Sequence, residues 1–169
     1  KHVEKLNDEI DDLKDNVFYF IKSLDDTSVN ASKFYISILD YLQDAAQSIS
    51  YISRASFKHV NNNHKNLKKG QIKDLKTTNN ELTVILENIS EIFENRKFDD
   101  LNQLLIQKRE LIKNVSISIE KQVARIRTDE TSPKNTTLYF SLLLETKDLM
   151  KALMNLLETY EEFYLSTKV

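Results

Sequence analysis

Phe34-Tyr35-Ile36-Ser37-Ile38-Leu39 lies over Leu138-Tyr139-Phe140-Ser141-Leu142-Leu143 at an offset of 104 residues. The same offset pairs Asp44 with Asp148, Ile49 with Leu153 and Ile52 with Leu156. Amphipathic helices share apolar phase by default, so the coincident Tyr, Ser and Asp, and not the aliphatic matches, make this echo a repeat. It reads as a duplicated helical unit.

The composition agrees with a helical protein. One Gly and one Pro in 169 residues leave almost no punctuation for strands and hairpins, while 40% hydrophobic residues suffice for one core. A single all-α domain spanning residues 1–169 is the expectation. The charged residues balance to a net charge of −2, which gives no broad field for nucleic acid. There is no Cys, so disulfides and thiolate metal sites are excluded. No apolar run reaches the roughly 18 to 20 residues that a bilayer crossing needs. The chain opens at Lys1 without Met, which fits trimming of a short tag or excision from a longer polypeptide.

Outward from the repeat, apolar spacing of three and four predicts five helices. The first spans about Val3 to Leu24 and closes at Asp25-Asp26-Thr27-Ser28. The second runs from about Asn30 to Phe57 on a seam of Tyr35, Ile38, Leu42, Ala45, Ile49 and Ile52. His59 to Gly70 reads as its frayed end and a connector. The third spans about Gln71 to Asn95, and the fourth about Asp99 to Arg127. In the fourth, Ile112, Val115, Ile119, Val123 and Ile126 repeat Ile10, Leu13, Val17, Ile21 and Leu24 at an offset of 102. Ser132-Pro133 is a start signal, because Ser caps orphan N–H groups and Pro is pre-set for a first turn. The fifth helix therefore runs from Pro133 to about Leu165. Long helices on short connectors pack as an antiparallel bundle.

Two features could carry chemistry. Asp40 and Asp44 are four apart in the second helix, and Glu145 and Asp148 three apart in the fifth, so each pair shares one helix side. Relative to the seams they point outward or to the flank. They could hold a divalent cation at the surface, or simply form a solvated acidic face; iron or zinc would need His59 or His64 as well. The second feature is Lys58-His59-Val60-Asn61-Asn62-Asn63-His64-Lys65, with Lys68 and Lys69 close behind. His59, Asn62, His64 and Lys65 could face a partner or ligand, and an exposed polar helix end explains the same residues. Tyr35 and Tyr139 read as core residues with the hydroxyl at the edge. No nucleophilic Cys, Gly-rich phosphate loop, G-x-S-x-G turn or H-E-x-x-H pair is present, so no enzyme is expected.

The two units resemble the PhoU family of bacterial phosphate-transport regulators, built from duplicated three-helix units with acidic motifs on exposed helix faces. Asp40-Tyr41-Leu42-Gln43-Asp44 fits the E/D-x-x-x-D motif; in the second copy Leu144 replaces the first acid and Asp148 stays in register. The closer resemblance is to the PhoU-like cytoplasmic region at the C-terminus of inorganic phosphate permeases in some bacteria. Ile38 to Asp44, His59 to Lys65, Thr131 to Asn135 and Leu144 to Leu149 carry that likeness in order. The resemblance implies a cytoplasmic regulatory domain at the inner membrane, working on the transmembrane permease region of the same polypeptide. It admits a homodimer and a surface divalent metal; no cofactor and no nucleic acid are expected. A coiled-coil interaction or signalling module unrelated to phosphate is the competing reading.

Overall fold

The computed structural model describes residues 1–24, 29–128 and 132–167. The protein is all-α, a five-helix bundle with no strand among the described residues. The helices are α1 (His2–Ser23), α2 (Val29–Asn61), α3 (Lys69–Asn95), α4 (Leu101–Arg127) and α5 (Pro133–Ser166). A short 3-10 turn, Phe98–Asp100, leads into α4. The predicted break at Asp25-Asp26-Thr27-Ser28 lies outside the described residues.

Helix ends follow from local chemistry. Pro133 is the first residue of α5, and Ser132 Oγ accepts the Asn135 N–H at 3.2 Å, as the Ser-Pro signal predicts. Two C-terminal ends use left-handed residues: Arg96 has φ 53° at the close of α3, and Asn63 has φ 51° just beyond α2. After α2, the His64 N–H reaches the His59 carbonyl at 3.3 Å and the Asn63 N–H reaches the Val60 carbonyl at 3.0 Å. This is the Schellman pattern, with Asn63 taking the place that Gly usually fills. Two boundaries differ from the predicted ones. Helix α2 continues past Phe57, so His59 is helical, and Gly70 lies in the first turn of α3 and not in a connector.

The chain divides into two compact units, residues 1–53 with 148–169, and residues 54–147. In the first, the Asn7 amide donates to Ser50 Oγ at 3.1 Å, while the rings of Phe20 and Tyr35 lie 4.5 Å apart. These contacts make α1 and α2 antiparallel. Phe163 packs 5.6 Å from Phe34 and 5.5 Å from Tyr35, which runs the end of α5 antiparallel to the start of α2. Ile10, Ala45, Ala46, Met150, Met154 and Leu157 are buried here.

In the second unit α3 and α4 form an antiparallel hairpin with two parallel seams. The inner seam places Thr78, Ile85 and Ile92 of α3 and Leu104, Leu111 and Ser118 of α4 in the core, each set at heptad spacing. Beside it runs a polar ladder of the same period. Asp74 pairs with Lys121 at 3.7 Å, the Asn114 amide donates to Glu81 at 2.7 Å, and the Asn88 amide donates to Gln107 at 2.8 Å. Each step of seven up α3 is a step of seven down α4.

The aliphatic set by which α4 repeats α1 lies mostly outside the core. Of Ile112, Val115, Ile119, Val123 and Ile126, only Val115 is fully buried; Val123 is 49% and Ile126 42% exposed. The buried stripe instead ends in Ser118 and Gln122; the Gln122 amide bonds to Gln71 of α3 and Thr136 of α5, and the Ser118 carbonyl accepts from the Tyr139 hydroxyl at 3.4 Å. The aliphatic residues occupy the flank.

These two assignments separate on mutation. Leu111→Ala should lower unfolding stability by about 3 kcal/mol, the usual cost of a cavity at a closed site. Val123→Ala should change it by no more than about 0.5 kcal/mol. Chemical denaturation of both variants is the measurement; a larger loss from Val123→Ala would place that residue in the core.

Candidate functional site

The densest polar chemistry among the described residues is a cluster in the second unit that joins α3, α4 and α5. At its centre is Asp74. Arg125 Nη2 donates to Asp74 Oδ2 at 2.8 Å, and the Tyr139 hydroxyl donates to the same oxygen at 2.9 Å. Lys121 approaches the other oxygen at 3.7 Å. The Arg125 guanidinium also lies over the Tyr139 ring, 5.9 Å from its centroid. Tyr139 itself is completely buried.

A chain of amides continues from this centre. Arg125 Nη1 donates to Gln122 Oε1 at 3.3 Å, and Gln71 Nε2 donates to the same oxygen at 3.1 Å. Gln122 Nε2 then donates to Thr136 Oγ1 at 3.1 Å. Gln71 Oε1 in turn accepts the Lys68 backbone N–H at 2.9 Å, satisfying one of the orphan donors that open α3. Gln71 and Gln122 are fully buried, so their amides must find each other or lose hydrogen bonding altogether.

Gly70 makes room for this arrangement. A Cβ built there would lie 2.8 Å from Arg125 Nη2 and 3.3 Å from Cζ. Its φ is not positive, so the small residue serves space and not backbone freedom. Burial opposes the charge on Asp74, but the hydrogen bonds from Arg125 and Tyr139 and the charges of Arg125 and Lys121 outweigh it and hold the carboxyl below its ordinary range. Burial, reinforced by the Asp74 carboxylate, pushes the Tyr139 hydroxyl up to about 12. Burial also opposes the Arg125 charge, and its bond to Asp74 more than restores it. The centre is thus a charged carboxylate held by two cations and a neutral phenol, without a free nucleophile or base.

The residues singled out from the sequence lie elsewhere. Asp40 and Asp44 are exposed on α2 in the first unit, where Asp148 is exposed on α5; Glu145, half-buried, belongs to the second unit. Within neither unit do three His, Asp or Glu side chains among the described residues converge on a metal-sized space. The His59 and His64 rings sit 5.1 Å apart, occupying the two positions that a Schellman motif brings into side-chain contact. His59 Nε2 lies 3.2 Å from the Lys65 carbonyl, which can only accept, so this nitrogen carries the proton. Asn62 and Lys65 are exposed at the turn. Tyr139 departs from the expected edge placement, since its hydroxyl is inside the network.

Asp74, Arg125, Gln71 and Gln122 escaped the sequence reading. Their signal was present: Gln71, Asp74 and Thr78 follow helical spacing, yet polar residues at core phase look like solvent-facing ones when no partner is visible.

Because the Asp74 carboxyl is depressed on folding, its stabilisation is complete above the ordinary carboxylate range and is lost as pH falls through its lowered folded value. Asp74→Asn should cost about 3 kcal/mol at neutral pH by leaving Arg125 without its anion. It should also flatten the acid side of the stability profile, read by denaturation from neutral pH to below pH 3. Gly70→Ala is expected to cost about 1 to 3 kcal/mol, because Ala displaces a guanidinium anchored at both nitrogens. In the Asp74→Asn background that penalty should shrink, as a double-mutant cycle would show.

Set beside family models, characterised proteins and solved structures, the chain gives no match.

Proposed function

We propose that this chain is the regulatory domain of a bacterial inorganic phosphate transporter, acting by contact with the permease region of its own polypeptide. The observation that carries this reading is the ordered series of sequence strings on an all-helical bundle: the acidic pair Asp40 and Asp44, the His59–Lys65 turn, the Ser132-Pro133 start and the Glu145–Asp148 segment. In the proposed mechanism the exposed acids of α2 and α5 touch the transporter or a surface cation. Differential contact in two transport states then biases their populations. The polar cluster around Asp74 fixes α3, α4 and α5 together in the second unit, which carries Glu145 and the His59–Lys65 turn.

The competing module unrelated to phosphate draws on a different observation. The heptad ladder between α3 and α4 has coiled-coil spacing and would serve any helical signalling hairpin.

Asp40→Asn with Asp44→Asn tests the first reading, because both side chains are exposed and the change should move stability by no more than about 0.5 kcal/mol each. In the polypeptide that contains this segment, phosphate uptake or its response to phosphate supply should change. Unaltered uptake at every phosphate concentration, with the bundle still folded, would favour the module.

A further inference from the structure

Four helix ends meet at one end of the second unit: the last turns of α2 and α4 and the first turns of α3 and α5. Three links hold them there. His59 reaches the Lys65 carbonyl, the Asn135 amide donates to the Asn66 carbonyl at 2.8 Å, and Gln71, Gln122 and Thr136 form a continuous chain.

The end so assembled is basic. Lys58, Lys65, Lys68, Lys69 and Lys73 are all exposed on the α2 and α3 side, and Arg127 and Lys134 on the side of α4 and α5. Exposed Glu120, with Asp129 and Glu130 in the intervening sequence, leaves this excess uncancelled, and Asp74 is already committed to Arg125 and Lys121. The opposite tip of the hairpin carries Glu87, Glu91, Glu94, Asp99 and Asp100 against Arg96, Lys97 and Lys108. A net charge of −2 therefore conceals a unit with one positive and one negative end.

The positive end is also apolar. Val60 is 74% exposed and Phe57 71%, three residues apart on α2. Ile72, Val123 and Ile126 are exposed at the same helix ends. Phosphate backbones have no use for such side chains, whereas a lipid interface takes up apolar groups and rewards neighbouring lysines at the same time.

We propose that this end of the second unit docks on an anionic lipid surface. Lys65, Lys68, Lys69 and Lys73 lie against the headgroups while Phe57 and Val60 enter the interfacial layer. The acidic tip would be repelled by the same surface within a Debye length of about 10 Å, which disfavours the hairpin lying flat on it. This contact is independent of the phosphate-transport reading.

Flotation of the purified protein with vesicles tests it, using phosphatidylcholine alone and phosphatidylcholine mixed with phosphatidylglycerol. Binding should require the anionic lipid and fall with added salt. The triple change Lys68→Glu, Lys69→Glu and Lys73→Glu should reduce partitioning on the order of 100-fold. Acids at the start of α3 suit the helix dipole, so the fold should survive it. Phe57→Ser with Val60→Ser should reduce partitioning on the order of tenfold. Should either variant melt early by circular dichroism, Lys65→Gln with Lys134→Gln offers a milder loss of charge read the same way. Absent binding at low salt, or equal binding to neutral vesicles, would overturn the proposal. So would vesicle binding indifferent to the Phe57/Val60 change and matched by retention of single-stranded RNA, which would make this a nucleic-acid surface.

Discussion

Asp74 is the constraint on which the second unit depends. Its carboxylate accepts from Arg125 on α4 and Tyr139 on α5 while itself belonging to α3, so one side chain fixes three helices in rotation and in height. Aliphatic packing is forgiving of small slides, since one Leu against another has nearly the same energy over a range of positions. A charge buried beside its partners has no such tolerance. The fully buried Gln71 and Gln122, the space at Gly70 and the polar ends of the α4 stripe all follow from accommodating that carboxylate.

Much of the architecture was legible in the residues because helix formation is local. Spacing of three and four located all five helices, and Ser132-Pro133 marked the start of α5 to the residue, because capping and proline act within one turn. The end of α2 was harder to place. His59, Val60 and Asn61 look like a polar fraying end, yet the left-handed Asn63 supplies a terminator that keeps them helical. Which face of α4 is inside depended on partners distant in sequence. Ile112, Ile119, Val123 and Ile126 make the stronger apolar pattern, but Gln71, Asp74, Thr136 and Tyr139 decide the rotation.

The echoed tyrosines show how far a sequence match reaches. Tyr35 is half-buried in an aromatic group with Phe20 and Phe163, whereas Tyr139 is sealed inside a hydrogen-bond network. The same residue at the same repeat position thus meets two unlike surroundings. The candidate acids illustrate a related limit: helical spacing sets which side of a helix a pair occupies, but convergence with a second pair is a property of the tertiary structure.

The ladder between α3 and α4 has a consequence of its own. Because its rungs recur every seven residues on both helices of the hairpin, displacement by one period would set Asp74 opposite Asn114, Glu81 opposite Gln107 and Asn88 opposite Asp100. Every new rung would join an amide to a carboxylate, the chemistry that the Asn114–Glu81 rung already uses. The ladder is therefore a ruler whose divisions look alike, and it cannot by itself say which mark is zero. Arg125 over Gly70, with Tyr139 alongside, occurs once and acts as the pin that sets the scale.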